Sequence, residues 1–458
     1  MTTRPPHVPS VTRRTFLDRF GKAATAGMTI AFAGPAPLLR ARPRPTRPVS
    51  AFEADVAIEW FDVCLQLVRS TPGFSPPVAS RAFAYAGLTL YEALVPGMHG
   101  ARSLAGQINE LAPAPGSSDP ARHWPTVANA ALASILRRLF PTATPDDAAA
   151  LDALEASFAE RFRASVPVGI YRRSVARGRS VADHIFDWSL SDGGHEGYLK
   201  NFPPYVPPRG SGLWVPTPPA FLPALQPSWG SNRPFALTSG RRCDPGGPPS
   251  YSEDPSSAFY EEADECYDVV ISLSPTQEEI ALFWSDDPGL TSTPPGHSIS
   301  ILTQVMRSQG STLDVAAEAY AKVGIAVADA FITCWNTKYR FNLLRPVTYI
   351  QRVIDPGWTP LLATPPFPEY TSGHSVQSAA AAEVLGDLFG KVSFTDHTHD
   401  ARGLTPRSFG SFVEAAREAA ISRLYGGIHF RTAIELGLKQ GRCVGRKVNA
   451  LRVRERPR

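Results

Sequence analysis

The sequence predicts an all-α protein built from helical bundles, two four-helix-bundle-like units, with long Pro-rich loops. Apolar residues recur at helical spacing through most of the chain, and the alternating apolar pattern of a β-strand is scarce. The 458 residues include 45 prolines and 35 glycines, which indicates long ordered loops between the helices. With 43% hydrophobic and 19% charged residues, the chain can bury a core and does not resemble a disordered protein.

The N-terminal helical region is expected to cover residues 51–255. Ala-rich helical patterns, typical of a bundle, occupy residues 54–67, 78–94, 124–140, 145–164 and 171–190. From residue 191 to 255, prolines such as Pro203 and Pro216 interrupt any long periodicity, which predicts an ordered excursion over the surface. Two interpretations of this excursion are equally open: it covers the mouth of a pocket, or it is a structural strap between two bundles.

The C-terminal region, residues 256–458, is predicted to be a second helical domain. Its helical patterns cover residues 276–284, 297–308, 313–344, 375–389, 408–424 and 430–452. The polar motifs that indicate a function lie in this region.

The N-terminus is typical of a twin-arginine export signal. Arg13 and Arg14 precede an apolar stretch and the A-x-A sequence of residues 31–33. We therefore predict a signal peptide at residues 1–33, a Pro-rich linker at 34–50, and a periplasmic or extracellular protein. The apolar stretch is shorter than the roughly 20 residues that span a bilayer, and no comparable stretch follows, so the mature form is not expected to span a membrane.

Charge and cysteine content exclude several classes of function. The formal charge of +4 comes from the first 33 residues, because the remainder carries equal numbers of basic and acidic side chains. Composition therefore gives no case for nucleic-acid binding. The five cysteines are scattered without a C-x-x-C pair, which argues against zinc ligation and a disulfide framework and allows at most one or two bridges after export. Cys334 is expected to be a small core residue.

One motif, at residues 338–346, carries two cations, and a second, at residues 367–374, precedes a helix start. Lys338 and Arg345 are two helical turns apart, so both side chains can point from one face. Pro346 disfavours helix at Arg345, which would let this arginine turn into a cavity. Downstream, Ser372 is a plausible N-cap and Gly373 allows close approach of the backbone, so their helix start can cradle an anion.

A third motif adds another cation and a second imidazole. Arg423 is followed by two glycines and His429, whereas His374 directly follows Gly373. Taken singly, each of these residues is more often an ordinary cap, core histidine or surface cation. Three cations, an anion cradle and two histidines together suit a trianionic tetrahedral oxyanion, because arginine donates in pairs and lysine acts as a point charge.

The pattern K-x6-R-P, S-G-H and S-R-x5-H, at residues 338–429, resembles the signature shared by vanadium-dependent haloperoxidases and type-2 phosphatidic-acid phosphatases. The resemblance implies that vanadate, with phosphate as a competitor, is held by Lys338, Arg345, Ser372, Gly373 and Arg423. It further implies that His429 is the axial ligand to vanadium, or the nucleophile of a phosphatase, and that His374 is the acid–base residue.

Additional similarity favours the haloperoxidase branch. The segment around Asp287 is similar to a fungal chloroperoxidase segment whose aspartate is salt-bridged to an anion-binding arginine, with Asp286 as the second candidate. Trp335 and Phe367 match two aromatic residues on the halide side of that pocket, although core packing explains them equally well. His297 is interpreted as part of a helix start rather than as a ligand.

Two positions depart from the signature. Thr371 replaces a proline, which changes the stiffness of the loop. Ala433 stands where many relatives have an aspartate that orients the imidazole of the second histidine, and this weakens the case for a nucleophilic His429. Glu435 or a backbone carbonyl could replace the missing carboxylate.

The prediction is a vanadium-dependent haloperoxidase that uses hydrogen peroxide to oxidise a halide, with an organic molecule as a possible acceptor. One alternative is a soluble, exported acid phosphatase that forms a phosphohistidine in the same pocket. The other is a periplasmic phosphate or vanadate binder without activity, for which two histidines on opposite sides of the anion would be unnecessary.

Overall fold

The computed structural model describes residues 47–116 and 121–454. Its N-terminal helices are α1 (Asp55–Ser70), α2 (Pro76–Leu94), α3 (Trp124–Leu139), α4 (Pro145–Ser165) and α5 (Val168–Ser189). The later helices are α6 (Ala258–Ile271), α7 (Pro275–Phe283), α8 (Thr293–Gln309), α9 (Leu313–Phe341), α10 (Pro346–Val353), α11 (Gly373–Phe389), α12 (Phe412–Tyr425) and α13 (Arg431–Asn449). The predicted all-α fold of helical bundles is confirmed.

Non-helical structure is sparse in the described part of the chain. Two strands, β1 (Phe394–Asp396) and β2 (Arg407–Phe409), form an antiparallel hairpin. Short 3-10 helices occupy Val49–Ala51, Val95–Gly97, Gly197–Leu199, Trp229–Ser231 and Asp400–Arg402. None of the described helices combines the length and the apolar character needed to cross a membrane. The predicted signal peptide and most of the predicted linker lie outside the described residues.

Several helices begin where local sequence rules place them. The hydroxyl of Ser372 accepts a hydrogen bond from the Ser375 amide and caps α11, as expected. Arg345 lies in extended backbone just before Pro346, the first residue of α10, and after the end of α9 at Phe341, as expected for a residue that precedes proline.

Other helix bounds differ from the sequence prediction. Helices α6 and α10 were not predicted, and α8 begins at Thr293, four residues earlier than expected. The helix predicted from residue 408 begins at Phe412, because residues 407–409 pair with β1 and Ser411 caps the helix through the Glu414 amide. Short amphipathic segments of this kind are hard to distinguish from loops by periodicity alone.

The central contact of the fold joins α2 to α9. At Gly87 of α2, a Cβ would lie 2.3 Å from the carbonyl oxygen of Tyr320 in α9, so only glycine permits this approach of the two backbones. A continuous apolar core, with members from Val49 to Val453, surrounds this contact. The division of the chain near residue 255 remains a prediction, and the core draws on residues from both sides of it.

The C-terminal helix positions the start of α11. Helix α13 packs against α11, and a Cβ at Gly441 would lie 2.1 Å from the carbonyl oxygen of Val376. The backbone amide of Ser372 donates to the carbonyl of Ala433 on α13. The first turn of α11 is thereby fixed against the segment that follows α12.

The Pro-rich excursion, residues 191–255, is called the strap, and it is attached to α9 and α13. Both carboxylate oxygens of Asp329 on α9 accept hydrogen bonds from the backbone amides of residues 235–237, at 2.7–3.0 Å. A disulfide joins Cys243 of the strap to Cys443 of α13. The strap also contacts the N-terminal region, since the side-chain amide of Asn109 donates to the carbonyls of Pro234 and Leu237. Residues such as Leu222 contribute to the lining of a cavity. The excursion therefore connects the two regions and also lines a pocket.

Candidate active site

The polar motifs meet at a cavity of about 780 Å³. The ends of α9, α11 and α12 approach this cavity together with the strap and the loop after α7. Its lining includes eight residues singled out from the sequence, namely Asp286, Asp287, Trp335, Phe367, Gly373, His374, Arg423 and His429. Lys338, Arg345 and Ser372 are fully buried next to these residues. The structure thus brings together all the residues of the three motifs.

Arg345 reaches the second histidine directly. Its Nε donates to the carbonyl of Phe367 and its Nη1 to the carbonyl of Ile428, both at 2.8 Å. Nη1 also lies 3.3 Å from Nε2 of His429. These contacts fix the plane of the guanidinium while Nη2 is left without a protein partner.

Lys338 and Arg423 are held by backbone carbonyls in the same way. Nζ of Lys338 donates to the carbonyls of Pro368 and Glu369, both at 2.9 Å, and retains a third proton. Nη1 of Arg423 donates to the carbonyl of Trp284 at 2.7 Å. Burial lowers the pKa of Lys338 to about 7 and the pKa of Arg423 to about 10. Burial therefore disfavours the charged forms of both side chains, and a bound anion in the cavity would offset this effect.

Several buried polar atoms at or beside the cavity have no hydrogen-bond partner among the described residues. They include Nη2 of Arg345, Nε of Arg423, Nε2 of His374, Oγ of Ser375, Oγ1 of Thr364 and Oε2 of Glu369. Buried polar groups are rarely left unpaired in folded proteins. Together with the free amides at the start of α11, the guanidinium groups and the Ser375 hydroxyl fit a tetrahedral oxyanion, because each of them can donate to an oxygen. Nε2 of His374 accepts a proton in the neutral ring, so it suits a protonated oxygen of the anion.

His429 is oriented by a carboxylate that sequence reasoning missed. Its Nδ1 donates to Oε1 of Glu369 at 2.8 Å, and the Phe430 amide donates to the same oxygen at 3.0 Å. Glu369 is fully buried, whereas Glu435, the substitute considered from the sequence, is exposed. Ala433 does not leave the imidazole unsupported, since the carboxylate comes from the Phe367–His374 segment. A lone acidic residue among apolar and proline neighbours was the available signal.

The electrostatics favour a neutral His429 whose unprotonated Nε2 accepts from Arg345. Burial lowers the pKa of His429 well below its ordinary value, and Arg345, Lys338 and Arg423 lower it further. Because Nδ1 carries the proton that Glu369 accepts, the lone pair of Nε2 faces the cations. Burial also raises the pKa of Glu369 to about 8, against the opposing effect of Lys338 and Arg345.

His374 lies on the cavity wall with one ring nitrogen free. The backbone of Trp284 accepts a hydrogen bond from the ring, and Nε2 has no partner among the described residues. Burial and the neighbouring Arg423 lower the pKa of His374 well below the ordinary value for histidine. The free nitrogen can therefore accept a proton from a molecule that enters the cavity.

The aromatic pair is confirmed as part of the cavity lining but also packs internally. The rings of Trp335 and Phe367 lie 4.9 Å apart between centroids. Nζ of Lys338 lies 5.0 Å from the centroid of Phe367, over its ring. Nε1 of Trp335 donates to the carbonyl of Leu225 in the strap. The two rings therefore belong both to the cavity wall and to the packed interior, and their place on the halide side stays a prediction.

The acid expected beside Arg423 is not where it was predicted. Asp287 is exposed, and within residues 47–116 and 121–454 it forms no ion pair with Arg423. Asp286 is buried instead, and its carboxylate faces His297 at 2.9 Å. The Trp284 carbonyl takes the guanidinium contact, while Asp286 and Asp287 act on Arg423 only through space.

The interpretation of His297 as a helix start only is wrong. His297 is buried in α8 and contacts two carboxylates, Asp286 through Nδ1 and Asp396 through Nε2. Burial alone would lower the pKa of His297, but the two carboxylates raise it to about 10. Asp396 lies 99 residues further along the chain, a separation that no local pattern could reveal.

Comparisons with known proteins agree with this fold. Residues 318–455 match a family model described as the VCPO second helical-bundle domain. Vanadium chloroperoxidase of Curvularia inaequalis is 25% identical over 220 residues, a match that covers 34% of this chain and 36% of that protein. The chain therefore matches only about a third of this curated relative.

Two solved structures are similar over most of the chain. A bacterial vanadium-dependent iodoperoxidase is 40% identical, with a TM-score of 0.79, over 87% of this chain and 96% of that one. A bacterial vanadium-dependent chloroperoxidase in its holo form shares the fold at 18% identity, with a TM-score of 0.65, over 84% of this chain and 93% of that one.

Fold and site define a helical protein with a buried, cationic oxyanion pocket. At 40% identity over nearly the whole of a solved relative, the chain belongs to the vanadium-dependent haloperoxidase family. Vanadate is the cofactor that this membership implies, and the unpaired donors of the cavity fit it.

Proposed function

We propose that this protein is an exported vanadium-dependent haloperoxidase that uses hydrogen peroxide to oxidise a halide, with His429 as the protein ligand to vanadium. The observation that carries the proposal is the His429–Glu369 contact, which leaves the neutral Nε2 facing three buried cations. A neutral imidazole nitrogen can bind a metal. A carboxylate that accepts from the other ring nitrogen, here Glu369, orients the ring and raises the basicity of the ligating nitrogen.

The residues around His429 have complementary roles in this proposal. Lys338, Arg345 and Arg423 balance the charge of the oxyanion and hold its oxygens from fixed positions. Bound vanadate supplies Lewis-acid activation of peroxide without a change in its own oxidation state. The free Nε2 of His374 accepts or returns a proton at the open side of the cavity.

Iodide is the halide that we propose first. The relative that is 40% identical is described as an iodoperoxidase. Trp335 and Phe367 would line the halide side, and similarity of Phe367 to fungal chloroperoxidases would instead suggest chloride. An organic acceptor would enter between the strap and α2, where Leu222 and Phe74 give the cavity an apolar wall.

Export by the twin-arginine route belongs to the same proposal. The Arg13-Arg14 pattern supports it, as does the Cys243–Cys443 disulfide, because such bonds persist mainly in oxidising compartments. Cell fractionation of the natural chain and of an Arg13→Lys/Arg14→Lys double variant tests this point. Retention of the variant in the cytoplasm supports the proposal, and equal export of both chains contradicts it.

The deciding experiment measures two reactions of the mature protein, prepared without phosphate buffer. Peroxide-dependent iodination and bromination of a phenolic dye are followed before and after addition of orthovanadate, and p-nitrophenyl phosphate hydrolysis is followed in parallel. Vanadate-dependent halogenation that phosphate suppresses supports the haloperoxidase, and the same assay with chloride resolves the choice of halide.

The phosphatase remains the alternative to be tested, because Glu369 could also orient His429 as a nucleophile. Phosphate-ester hydrolysis inhibited by vanadate, without halogenation, would favour it. A protein that binds vanadate but lacks both reactions, and whose affinity survives His374→Ala, would be a simple binder.

A further inference from the structure

Four buried side chains form a second polar centre beside the oxyanion cavity. We call Asp286, His297, Asp396 and His399 the Asp–His cluster. They come from the loop after α7, from α8, from β1 and from the loop after β1, and each is at most 2% exposed. The proposed halide oxidation uses none of the four.

Three members of the cluster present metal-ligand atoms to a common point. Nδ1 of His297 lies 3.0 and 2.9 Å from the two carboxylate oxygens of Asp286. Nε2 of His399 lies 3.2 Å from Oδ1 of Asp286. One ligand atom from each of the three residues falls within 4.8 Å of the others. Two imidazoles and one carboxylate are a donor set that suits zinc and other divalent first-row metals.

The fourth member, Asp396, contacts the ring nitrogen of His297 that is remote from Asp286. Oδ2 of Asp396 lies 2.7 Å from Nε2 of His297, the ring nitrogen that points away from the common point. Oδ1 of Asp396 accepts from the Thr398 amide and the Thr398 hydroxyl, at 2.9 and 2.6 Å. A carboxylate on the outer nitrogen of a histidine, itself hydrogen-bonded, is the usual arrangement behind metal-bound imidazole.

One buried atom of the cluster, Nε2 of His399, has no hydrogen-bond partner among the described residues. The 3.2 Å contact of His399 with Asp286 lacks hydrogen-bond geometry, and Nε2 of His399 has no other partner among the described residues. The two carboxylates require positive charge between them. A proton on His297 supplies one unit of charge and leaves His399 unpaired, whereas a divalent ion supplies two units and uses His399 as a ligand.

We propose that Asp286, His297 and His399 bind a divalent transition-metal ion of the Zn²⁺ class, with Asp396 orienting His297. The three residues leave a fourth position, which water would take. Asp286 also lines the oxyanion cavity, so the metal site adjoins the vanadate pocket, but it uses neither His374 nor His429 as a ligand.

The metal would act as a structural anchor for the pocket. Asp286 lies two residues after Trp284, whose backbone accepts hydrogen bonds from Arg423 and His374. Asp286 also has a positive φ of 52°, a conformation that non-glycine residues adopt only when their surroundings hold them. A metal at Asp286 would fix this turn and, through it, two of the groups that face the oxyanion.

The test uses untagged, chelator-treated full-length mature protein and Zn²⁺ alone. Calorimetric titration with Zn²⁺ and elemental analysis after dialysis give the stoichiometry and the affinity. We expect one equivalent, and Co²⁺ should give the visible absorption of a low-symmetry site with nitrogen ligands. His399→Ala should lose affinity at least 100-fold.

Two control variants separate this site from others. His397→Ala removes an exposed histidine two positions away in the same loop and should leave Zn²⁺ affinity unchanged. His429→Ala removes the proposed vanadate ligand and should also leave it unchanged. Circular dichroism of every variant establishes that it is folded, and Co²⁺ absorption of the natural chain provides a measurement that needs no variant.

Two results would overturn the proposal. A folded natural chain that takes up neither Zn²⁺ nor Co²⁺ would make the cluster a metal-free ion pair centred on a protonated His297. Zn²⁺ binding that persists in His399→Ala but disappears in His429→Ala would place the metal in the vanadate pocket instead. Neither result depends on whether the protein oxidises halides.

Discussion

Glu369 holds the Nδ1 proton of His429, and this contact decides which ring nitrogen faces the cavity. Replacing Glu369 with glutamine keeps an oxygen that can accept the proton but removes the charge that raises the basicity of the imidazole. We expect vanadate affinity to fall about 10- to 100-fold. Equilibrium dialysis with orthovanadate measures it.

The matched control for this change is Glu435→Gln. Glu435 is exposed on α13 and was the alternative carboxylate considered from the sequence. Its replacement should leave vanadate affinity unchanged. Equal affinities for both variants and the natural protein would show that Glu369 does not support the ligand.

Gly373 offers a test in which binding and stability move in opposite directions. A Cβ at this position would meet only Trp335, at 3.8 Å, so the protein itself leaves room for alanine. Alanine in the first turn of α11 is also compatible with helix. We expect Gly373→Ala to melt at the same temperature or slightly higher, and to bind vanadate at least 10-fold more weakly because the methyl group enters the cradle. Unaltered affinity would mean that the anion lies elsewhere.

The lowered pKa of Lys338 should make the stability of the anion-free protein depend on pH. The unfolded chain keeps the lysine proton up to about pH 10.5, whereas burial lowers the pKa of Lys338 in the folded protein to about 7. Between these values the unfolded state binds more protons, so this group makes the anion-free protein more stable as the pH rises from 7.

A Lys338→Met variant isolates this effect, because methionine has a similar shape and no charge. The variant should be more stable than the natural chain at pH 7. Its advantage should then shrink by up to about 1.4 kcal/mol per pH unit towards pH 10. Urea unfolding of both anion-free proteins at several pH values gives this difference. A constant difference would show that Lys338 keeps its proton in the folded state.

At the scale of elements, one buried side chain of α9 holds the strap at residues 235–237. Asp329 accepts three backbone hydrogen bonds from residues 235–237 while it is fully buried. Asparagine can offer only one oxygen and would turn an N–H group towards another N–H group. We expect Asp329→Asn to lose about 2–3 kcal/mol of unfolding free energy. Limited proteolysis should then cut the strap earlier.

Asp183→Asn is the control for this substitution. Asp183 pairs with Arg138 at the surface, and the two side chains are 60% and 35% exposed, so its replacement should change stability by at most about 1 kcal/mol. If both variants unfold at the same urea concentration, the strap has other anchors of equal strength.

The sequence was sufficient for most helices and for the polar motifs, for reasons that are local. The cap of α11 by Ser372 and the end of helix before Pro346 follow from rules that act over four residues. Lys338, Arg345, Arg423 and both histidines of the motifs could be found by residue type and spacing.

What the sequence could not show depends on contacts between distant segments. Glu369 meets His429 across 60 residues, and Asp396 meets His297 across 99. Choosing between Asp286 and Asp287 required the turn conformation that buries the first and exposes the second. Periodicity and propensity do not encode such pairings, because they arise only when helices pack.

At the scale of the whole molecule, the oxyanion should stabilise the entire fold. The cavity gathers buried cations from α9 and α12 together with Arg345, between α9 and α10, and these cations repel one another without an anion. A ligand at 100 times its dissociation constant adds about 2.7 kcal/mol of unfolding free energy. We therefore expect orthovanadate, and phosphate at higher concentration, to raise the melting temperature measured by calorimetry.

The His429→Ala variant should respond differently to the two anions. Phosphate needs only the cations, so its stabilising effect should survive, whereas vanadate should lose the part that comes from the bond to His429. An equal loss for both anions would indicate that the variant disturbs the pocket as a whole.

The backbone contact between α2 and α9 has a consequence for truncation of this chain. Helix α9 carries Lys338, and the carbonyl of its Tyr320 lies directly against Gly87 of α2. A fragment that begins after α5 would contain every residue of the signature and yet leave this face of α9 uncovered. In this chain the pocket therefore depends on helices that lie outside its motifs.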